Sequence, residues 1–442
     1  MKSLAGARVW VVGMARSGRA AAALLLGHGA EVTAVDERPA EELKLHEDPR
    51  LACVRFVRQQ EADFRGADLI VLSPGVPADL PPLEEARQAG VRVIGELELA
   101  SWFLKGPTLA ITGTNGKSTT TALTGHLLQR SGIPAQIGGN IGTPPTAMVE
   151  SSREDQWNVL EVSSFQLETT DTFRPAIGAV LNLTPNHLDR HRTFERYAAA
   201  KRRLLDNQIA TDYAVLNADD PVCVGWAAEL QGRVVWFSSS KPVTPGLWLE
   251  YDKIWFDGEP VIAVKDIPLR GLHNVENVMA AIACARLAGA SLKQIAAAIP
   301  SFAGLEHRLE FVREVAGVEY FNDSKATSVD ATLKALSAFP GRLWVILGGK
   351  DKDSDYTPLI EPLREKARGV LLIGAAANKI AAALGDAVPL IPCGDLRRAV
   401  TEAAKRAEAG DTVLLAPACA SFDQFESFEH RGQVFKDLVR SL

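Results

Sequence analysis

Between Thr112 and Thr119 the chain reads Thr-Gly-Thr-Asn-Gly-Lys-Ser-Thr, residue types suited to holding a polyphosphate. Gly113 and Gly116 allow a tight turn, and Thr114 and Asn115 keep it polar. Lys117, Ser118 and Thr119 then open a helix whose N–H groups and dipole face an anion. In this reading Lys117 contacts the terminal phosphates of ATP and Ser118 ligates magnesium. The spacing departs from the strict G-x-x-x-x-G-K-[ST] pattern, which needs a glycine five positions before Gly116, where Ile111 stands. The bland alternative is a turn that merely caps a helix. ATP binding alone fits a kinase, a motor or a ligase, so residues elsewhere must choose among them.

Two further strand ends carry groups that suit a hard cation. Glu161 closes the apolar run that starts at Trp157, and His187-Leu188-Asp189 follows the run that starts at Ala179. Ligands of open parallel sheets bind beyond the carboxyl ends of the strands. Ser118 and Glu161 are therefore expected to hold the ATP metal, and His187 a second ion. Taken singly, Glu161 could instead cap Ser163 or Ser164, and His187 could belong to a turn after Asn186. Lys201, within Tyr197-Ala-Ala-Ala-Lys-Arg-Arg203, reads alone as a solvated helix lysine.

The elements needed to position these groups follow from hydrophobic periodicity. Residues 8–12, 30–35 and 69–72 read as strands and 20–26 as a helix, a β-turn-α-β order that implies a parallel sheet. The pattern restarts near Pro107, so a boundary is expected around residues 96–106. Strands follow at 108–111, 157–162 and 179–183, with helices at 194–205, 274–288 and 292–298. After Ser301-Phe-Ala-Gly304 the alternation resumes through strands at 343–347, 369–373 and 412–415. The expected architecture is α/β with three domains: Rossmann-like over 1–100, a central P-loop-type ATPase sheet over 101–304, and Rossmann-like over 305–442. The turn Val12-Gly-Met-Ala-Arg-Ser-Gly18 approximates a dinucleotide fingerprint, with Asp36 at a fitting distance. Ala15 replaces the glycine that lets a pyrophosphate approach the backbone, which disfavours NAD.

Bulk properties narrow the field further. The 442 residues exceed what one hydrophobic core supports, and 47% hydrophobic with 23% charged residues is a globular composition. A formal charge of -6 offers no general attraction for nucleic acid or an anionic membrane, so neither is an expected partner. The apolar run near the N-terminus is too short for a signal sequence or membrane span, which predicts a cytoplasmic address. The cysteines at 53, 223, 284, 393 and 419 include no C-x-x-C pair and are expected to be buried thiols.

At this point the chain resembles the Mur ligases of bacterial cell-wall synthesis. The likeness rests on Ala110-Ile-Thr-Gly-Thr-Asn-Gly-Lys-Ser-Thr119, Glu161-Val-Ser-Ser-Phe-Gln-Leu-Glu168, Asn182-Leu-Thr-Pro-Asn-His-Leu-Asp189 and Leu272-His-Asn-Val-Glu-Asn277. Three further stretches are similar to the D-glutamate-adding branch: Asn322-Asp-Ser-Lys-Ala-Thr327, Leu347-Gly-Gly-Lys-Asp-Lys352 and the run from Pro417 to Gly432. The resemblance is essentially end to end. It implies an ATP-dependent ligase of peptidoglycan precursor synthesis, with two magnesium ions and a monomeric state. UDP-N-acetylmuramoyl-L-alanine would be phosphorylated on its carboxylate, and D-glutamate would attack the acyl phosphate to leave ADP and phosphate.

The resemblance also implies roles. Lys117, His187 and Lys201 are the catalytic positions, with Lys201 carbamylated so that it ligates metal together with Ser118, Glu161 and His187. Gly113 to Thr119, Asn274, Arg308 and Asp323 match the ATP contacts, the last two brought by closure of the final domain. Arg16, Ser17, Asp36, Arg38, Ser73, Gly75 and Asn140, with His187 nearby, match the UDP-sugar contacts. Thr327, Lys352, Ser421 and Phe428 match those of D-glutamate, with Lys350 a competitor for the role of Lys352. Rival readings are a diaminopimelate- or lysine-adding relative, a folylpolyglutamate synthetase, a nucleotide-binding switch and an NAD-linked oxidoreductase. The Asp-Asn-Pro-Arg motif of the diaminopimelate adder is absent, and a switch leaves Lys201, His187 and the 421–428 block without a task.

Overall fold

The computed structural model describes residues 4–442. Its first sheet is wholly parallel: β1 (Arg8–Val12), β2 (Glu31–Asp36), β3 (Arg55–Arg58), β4 (Leu69–Leu72) and β5 (Arg92–Gly95), in the order β3-β2-β1-β4-β5. Val9, Val11 and Val71 face one core and Val12, Ile70 and Leu72 another, the period-2 alternation of strands covered on both sides. The winding reverses between β1 and β4, which opens a crevice at their carboxyl ends. The first helix, Arg16–Gly27, starts earlier than the apolar periodicity suggested, because its polar first turn carries no hydrophobic signal.

The central sheet holds β6 (Thr108–Thr112), β7 (Ala135–Gly139), β8 (Trp157–Glu161), β9 (Ile177–Val180), β10 (Tyr213–Asn217) and β11 (Arg233–Ser238). It continues through β12 (Gly246–Glu250), β13 (Lys253–Phe256) and β14 (Glu259–Ala263). The order is β14-β13-β12-β11-β10-β9-β6-β8-β7, parallel up to β12 and ending in an antiparallel ribbon. The sequence reading anticipated β6, β8 and β9 but not the ribbon, whose Trp, Glu and Lys content gives no clean alternation. β9 also ends earlier than the expected 183. Leu181 N–H still reaches the Thr112 carbonyl at 3.0 Å, and Asn182 then leaves the ladder for the turn after β6.

The third sheet comprises β15 (Glu310–Val315), β16 (Val318–Asn322), β17 (Leu343–Gly348), β18 (Ala367–Ile373), β19 (Leu390–Gly394) and β20 (Thr412–Leu415). Its order is β15-β16-β20-β17-β18-β19, with β15 antiparallel and the rest parallel.

The first two sheets share one compact unit, which runs up to Ile267 and includes Val275–Phe302; Pro268–Asn274 and Ala303–Leu442 form a second unit. The stretch between β5 and β6 is a buried helix, Glu96–Ser101, and not an exposed linker. Glu96 accepts from Thr146 N and Oγ1 at 2.7 and 2.6 Å, and Glu98 accepts the backbone N–H groups of Asp171, Thr172 and Phe173. Trp102 Nε1 and Thr172 Oγ1 also donate to Glu98. Two carboxylates in the first turn of one helix therefore tie the segment that follows the first sheet to two separate stretches of the central one, at Thr146 and at 171–173.

No helix among the described residues is long and apolar enough to cross a membrane. All five cysteines are unpaired. Four are buried as expected, but Cys53 is exposed because it precedes the edge strand β3.

Candidate active site

The turn after β6 is built by its neighbours. Gly113 (φ 148°) and Gly116 (φ 84°) take conformations that L side chains rarely adopt. A Cβ on Gly116 would also overlap Asn277 Oδ1. Asn182 clasps the turn from the next strand: its carbonyl accepts Thr114 N at 2.8 Å, its Oδ1 accepts Asn115 N at 2.9 Å, and its Nδ2 donates to Asn115 O at 3.2 Å. Thr114 Oγ1 reaches the Thr184 carbonyl at 3.1 Å and Tyr197 OH at 3.0 Å. Lys117 Nζ lies across the turn and donates to the Gly113 and Thr114 carbonyls at 3.1 and 3.0 Å. Ser118 and Thr119 are buried in the first turn of the helix Lys117–Arg130.

Lys201 overturns its solvated reading. It is 1% exposed, its Nζ donates to Thr112 Oγ1 at 3.2 Å, and it stands 4.9 Å from the centroid of the Tyr197 ring. Tyr197 and Lys201 lie four residues apart on Phe194–Asp206, hence on one helical face. Burial, reinforced by the like charge of Lys117, pushes the amine well below the usual lysine range, against the pull of Glu161. Glu161, 2% exposed, accepts from Asn140 Nδ2 at 2.9 Å through Oε1, while its buried Oε2 has no hydrogen-bond partner. Ser163 is capped by its own box with Gln166, so Glu161 is not its cap.

His187 adopts φ 51° beside Phe165, with ring centroids 5.0 Å apart. Partial burial lowers its pKa; Asp189 opposes this, and Lys117 and Lys201 reinforce it. Thr112, Lys117, Glu161, His187 and Lys201 thus converge beyond the ends of β6, β8 and β9. Among the described residues no group of three or more His, Cys, Asp or Glu side chains forms a metal cage. The orphaned Glu161 oxygen and the buried Ser118 nevertheless fit a cation completed by phosphate oxygens.

At the first sheet's crevice, Asp36 Oδ2 accepts Met14 N at 2.7 Å, and Oδ1 accepts Arg38 N and Nε at 2.9 and 3.2 Å. Burial alone would raise this carboxyl, but Arg38 and the Met14 N–H hold it below its ordinary value. Ser73 Oγ donates to the Gly13 carbonyl at 2.6 Å, so the loop after β4, which carries Gly75, adjoins the turn that carries Arg16 and Ser17. Asn140 is placed elsewhere, on the central sheet at Glu161.

Within the second unit, Lys352 Nζ donates to the Thr327 carbonyl at 3.3 Å, while Lys350 is pinned through its backbone to Ala420. Ser421 is buried, and the Phe428 carbonyl accepts Ser324 Oγ at 2.8 Å. Arg431, fully buried, braces both loops through Ser324 Oγ and O and the carbonyls of Cys419 and Ala420. Thr327, Lys352 and Ser421 therefore sit on loops tied to one another and to Phe428, the first residue of the helix Phe428–Arg440. Asn274 Nδ2 donates to the Arg270 carbonyl at 2.7 Å. Burial raises Asp323 to about 6, with Arg308 opposing, and Arg308 Nε is buried without a hydrogen-bond partner.

Three family descriptions match the chain: "Mur ligase MurD-like, N-terminal domain" over residues 7–95, "Mur ligase middle domain" over 111–285 and "Mur ligase, glutamate ligase domain" over 307–419. The chain belongs to the Mur ligase family. This Mur ligase is 60% identical to the UDP-N-acetylmuramoylalanine–D-glutamate ligase of Solibacter usitatus over 99% of both chains. It is 51% identical to the protein so named in Acidobacterium capsulatum, over 99% of this chain and 96% of that one. Its fold is that of the UDP-N-acetylmuramate-alanine ligase of Thermotoga maritima, with TM-score 0.61 at 19% identity over 98% and 99% of the two chains.

Several structural parts of this Mur ligase had no assigned role in the sequence reading. Asn182, Tyr197 and Asn277 stood inside quoted motifs, yet their contacts shape the turn after β6, which no local pattern reveals. The Tyr197–Lys201 spacing of four was the one available signal. His191 was also missed: it is buried between Glu168 at 3.1 Å and Ser164 at 3.0 Å.

Proposed function

We propose that this Mur ligase uses ATP to join D-glutamate to UDP-N-acetylmuramoyl-L-alanine in peptidoglycan precursor synthesis. The observation that carries the reading is the 60% identity to a D-glutamate ligase over essentially the whole chain, amine-selecting loops included. The domain limits that go with it are 1–100, 101–304 and 305–442.

The turn N–H groups and Lys117 hold the nucleotide phosphates while the L-alanyl carboxylate of the UDP-sugar attacks the terminal phosphorus, giving an acyl phosphate and ADP. The amine of D-glutamate then attacks the acyl carbon and phosphate leaves. Lys201, whose burial disfavours the ammonium form, is suited to add carbon dioxide: once deprotonated, its nitrogen lone pair forms the N–C bond, and one proton is released. The carbamate would carry oxygens beside Glu161 where an ammonium would repel metal. Ser118, Glu161, the Lys201 carbamate and His187 would hold two magnesium ions, which offset phosphate charge when bound. Arg16, Ser17, Asp36, Arg38, Ser73, Gly75 and Asn140 would bind the UDP-sugar, with His187 kept neutral as a lone-pair donor. Asn274, Arg308 and Asp323 would contact the nucleotide. Lys352, supported by its contact with Thr327, would pair with the side-chain carboxylate of D-glutamate, and Thr327, Ser421 and Phe428 would line that site. Unpaired thiols suit a cytoplasmic enzyme.

The test is phosphate release from ATP with UDP-N-acetylmuramoyl-L-alanine and, in turn, D-glutamate, L-glutamate, L-lysine or no amino acid. D-glutamate alone is expected to support sustained release. Equal release in every arm would defeat the assignment.

A further inference from the structure

Asp351 stands between two lysines in Lys350-Asp351-Lys352, where an ionised carboxylate would ordinarily pair with a neighbour. Its partners lie elsewhere. Oδ2 accepts from Lys379 Nζ at 2.6 Å, and Oδ1 accepts from Tyr356 OH at 2.8 Å and Ser354 N at 3.3 Å. Lys379 belongs to the helix Ala377–Leu384 after β18, so the neutralising cation comes from a separate element. Tyr356 is buried, and its oxygen lies 3.0 Å from Cys419 Sγ. Since the phenol proton goes to Asp351, the thiol donates to the phenol, which ties the lysine turn to the loop that carries Ser421. Lys379 and then Tyr356 hold the Asp351 carboxyl well below its ordinary range, so it is fully ionised. Lys352 meanwhile points to the Thr327 carbonyl.

We propose that Lys379 is a positioning residue: by occupying Asp351 it prevents that carboxylate from capturing Lys352 and leaves the Lys352 charge for the substrate's distal carboxylate. The proposal rests on the reading of Lys352 as the glutamate anchor. A carboxylate on the adjacent residue has no translational freedom to lose, so it would outcompete a free amino acid for the same ammonium unless it were already paired. Tyr356 and Ser354 set the direction of the carboxylate, and Lys379 removes its charge.

The experiment measures KM for D-glutamate, KM for ATP and kcat in the full-length enzyme for Lys379→Met, Asp351→Asn, the double variant and Lys352→Met. The Lys379 side chain is 45% exposed and lies outside the hydrophobic core, so its replacement leaves the core intact. Lys379→Met is expected to raise the D-glutamate KM about tenfold, with ATP KM and kcat little moved. Asp351→Asn keeps the acceptor for Tyr356 and Ser354 and should raise KM less. The double variant should return to the Asp351→Asn value, because without the negative charge there is nothing to mask. A Lys379→Met defect that persists undiminished in the double variant overturns the proposal, as does an equal rise in ATP KM. If Lys352→Met raises the D-glutamate KM while Lys379→Met does not, this proposal alone fails. If Lys352→Met leaves that KM unmoved, the anchor reading fails and takes the proposal with it.

Discussion

Lys201 and Glu161 carry the proposed chemistry at the residue scale, since one is a dehydrated amine and the other a dehydrated carboxylate with a spare oxygen. Lys201→Ala is expected to lower kcat on the order of a hundredfold or more, the scale seen when a charge-stabilising group leaves an active site. Removing dissolved carbon dioxide should depress the wild-type rate and bicarbonate should restore it; full activity of Lys201→Ala at low bicarbonate would sink the carbamate. Asn182→Ala is expected to weaken ATP binding about tenfold, because it leaves Asn115 N–H without its acceptor, a change that titration calorimetry reads directly. The gathering of Lys117, Glu161 and His187 beyond neighbouring strand ends was legible from residue type and strand position. The burial of Lys201 was not, because Thr112 comes from a strand far away in sequence and the spacing of four from Tyr197 is too common on helices to reveal it alone.

At the scale of elements, the helix Glu96–Ser101 decides how the first two sheets are joined. Glu98 is 0% exposed and surrounded by N–H and O–H donors; these outweigh the burial that would raise it and hold it below its ordinary value. Glu98→Gln turns one acceptor into a donor facing those N–H groups, and is expected to cost about 2 kcal/mol or more in chemical denaturation. Glu96 behaves oppositely: burial, only partly offset by Thr146, raises it from 4.5 to about 7. Its folded pKa exceeds the unfolded value, so its contribution is fully present below 4.5 and is lost as pH rises to 7. That window is worth about 3 kcal/mol at most. Denaturation midpoints of wild type and Glu96→Gln should therefore shift relative to each other between pH 4.5 and 7, in favour of the variant at the higher pH. Parallel midpoints would show that Glu96 does not titrate there. Periodicity found the buried strands β1, β4, β17 and β20 well, since their apolar runs are short and bounded. It did not show that the 96–106 stretch holds a buried helix, because Glu-Leu-Glu-Leu looks solvated until the donors facing each carboxylate are known.

For the whole molecule, calorimetry is expected to resolve two unfolding transitions and not three, because the first and central sheets share one unit. Three transitions would mean that Glu96 and Glu98 do not couple them. The α/β class and three-sheet plan were readable from alternation. The sharing of one unit was not, since it depends on side-chain contacts between segments far apart in sequence. The phosphate turn carries a final consequence for inhibitor resistance. Gly116 has no space for a methyl group because Asn277 fills it, and both Gly113 and Gly116 need positive φ. A compound resting on this turn would lean on backbone that substitution cannot reshape without dismantling the proposed ATP site. Escape by drift at 116 would need a simultaneous change at 277, two rare events in place of one.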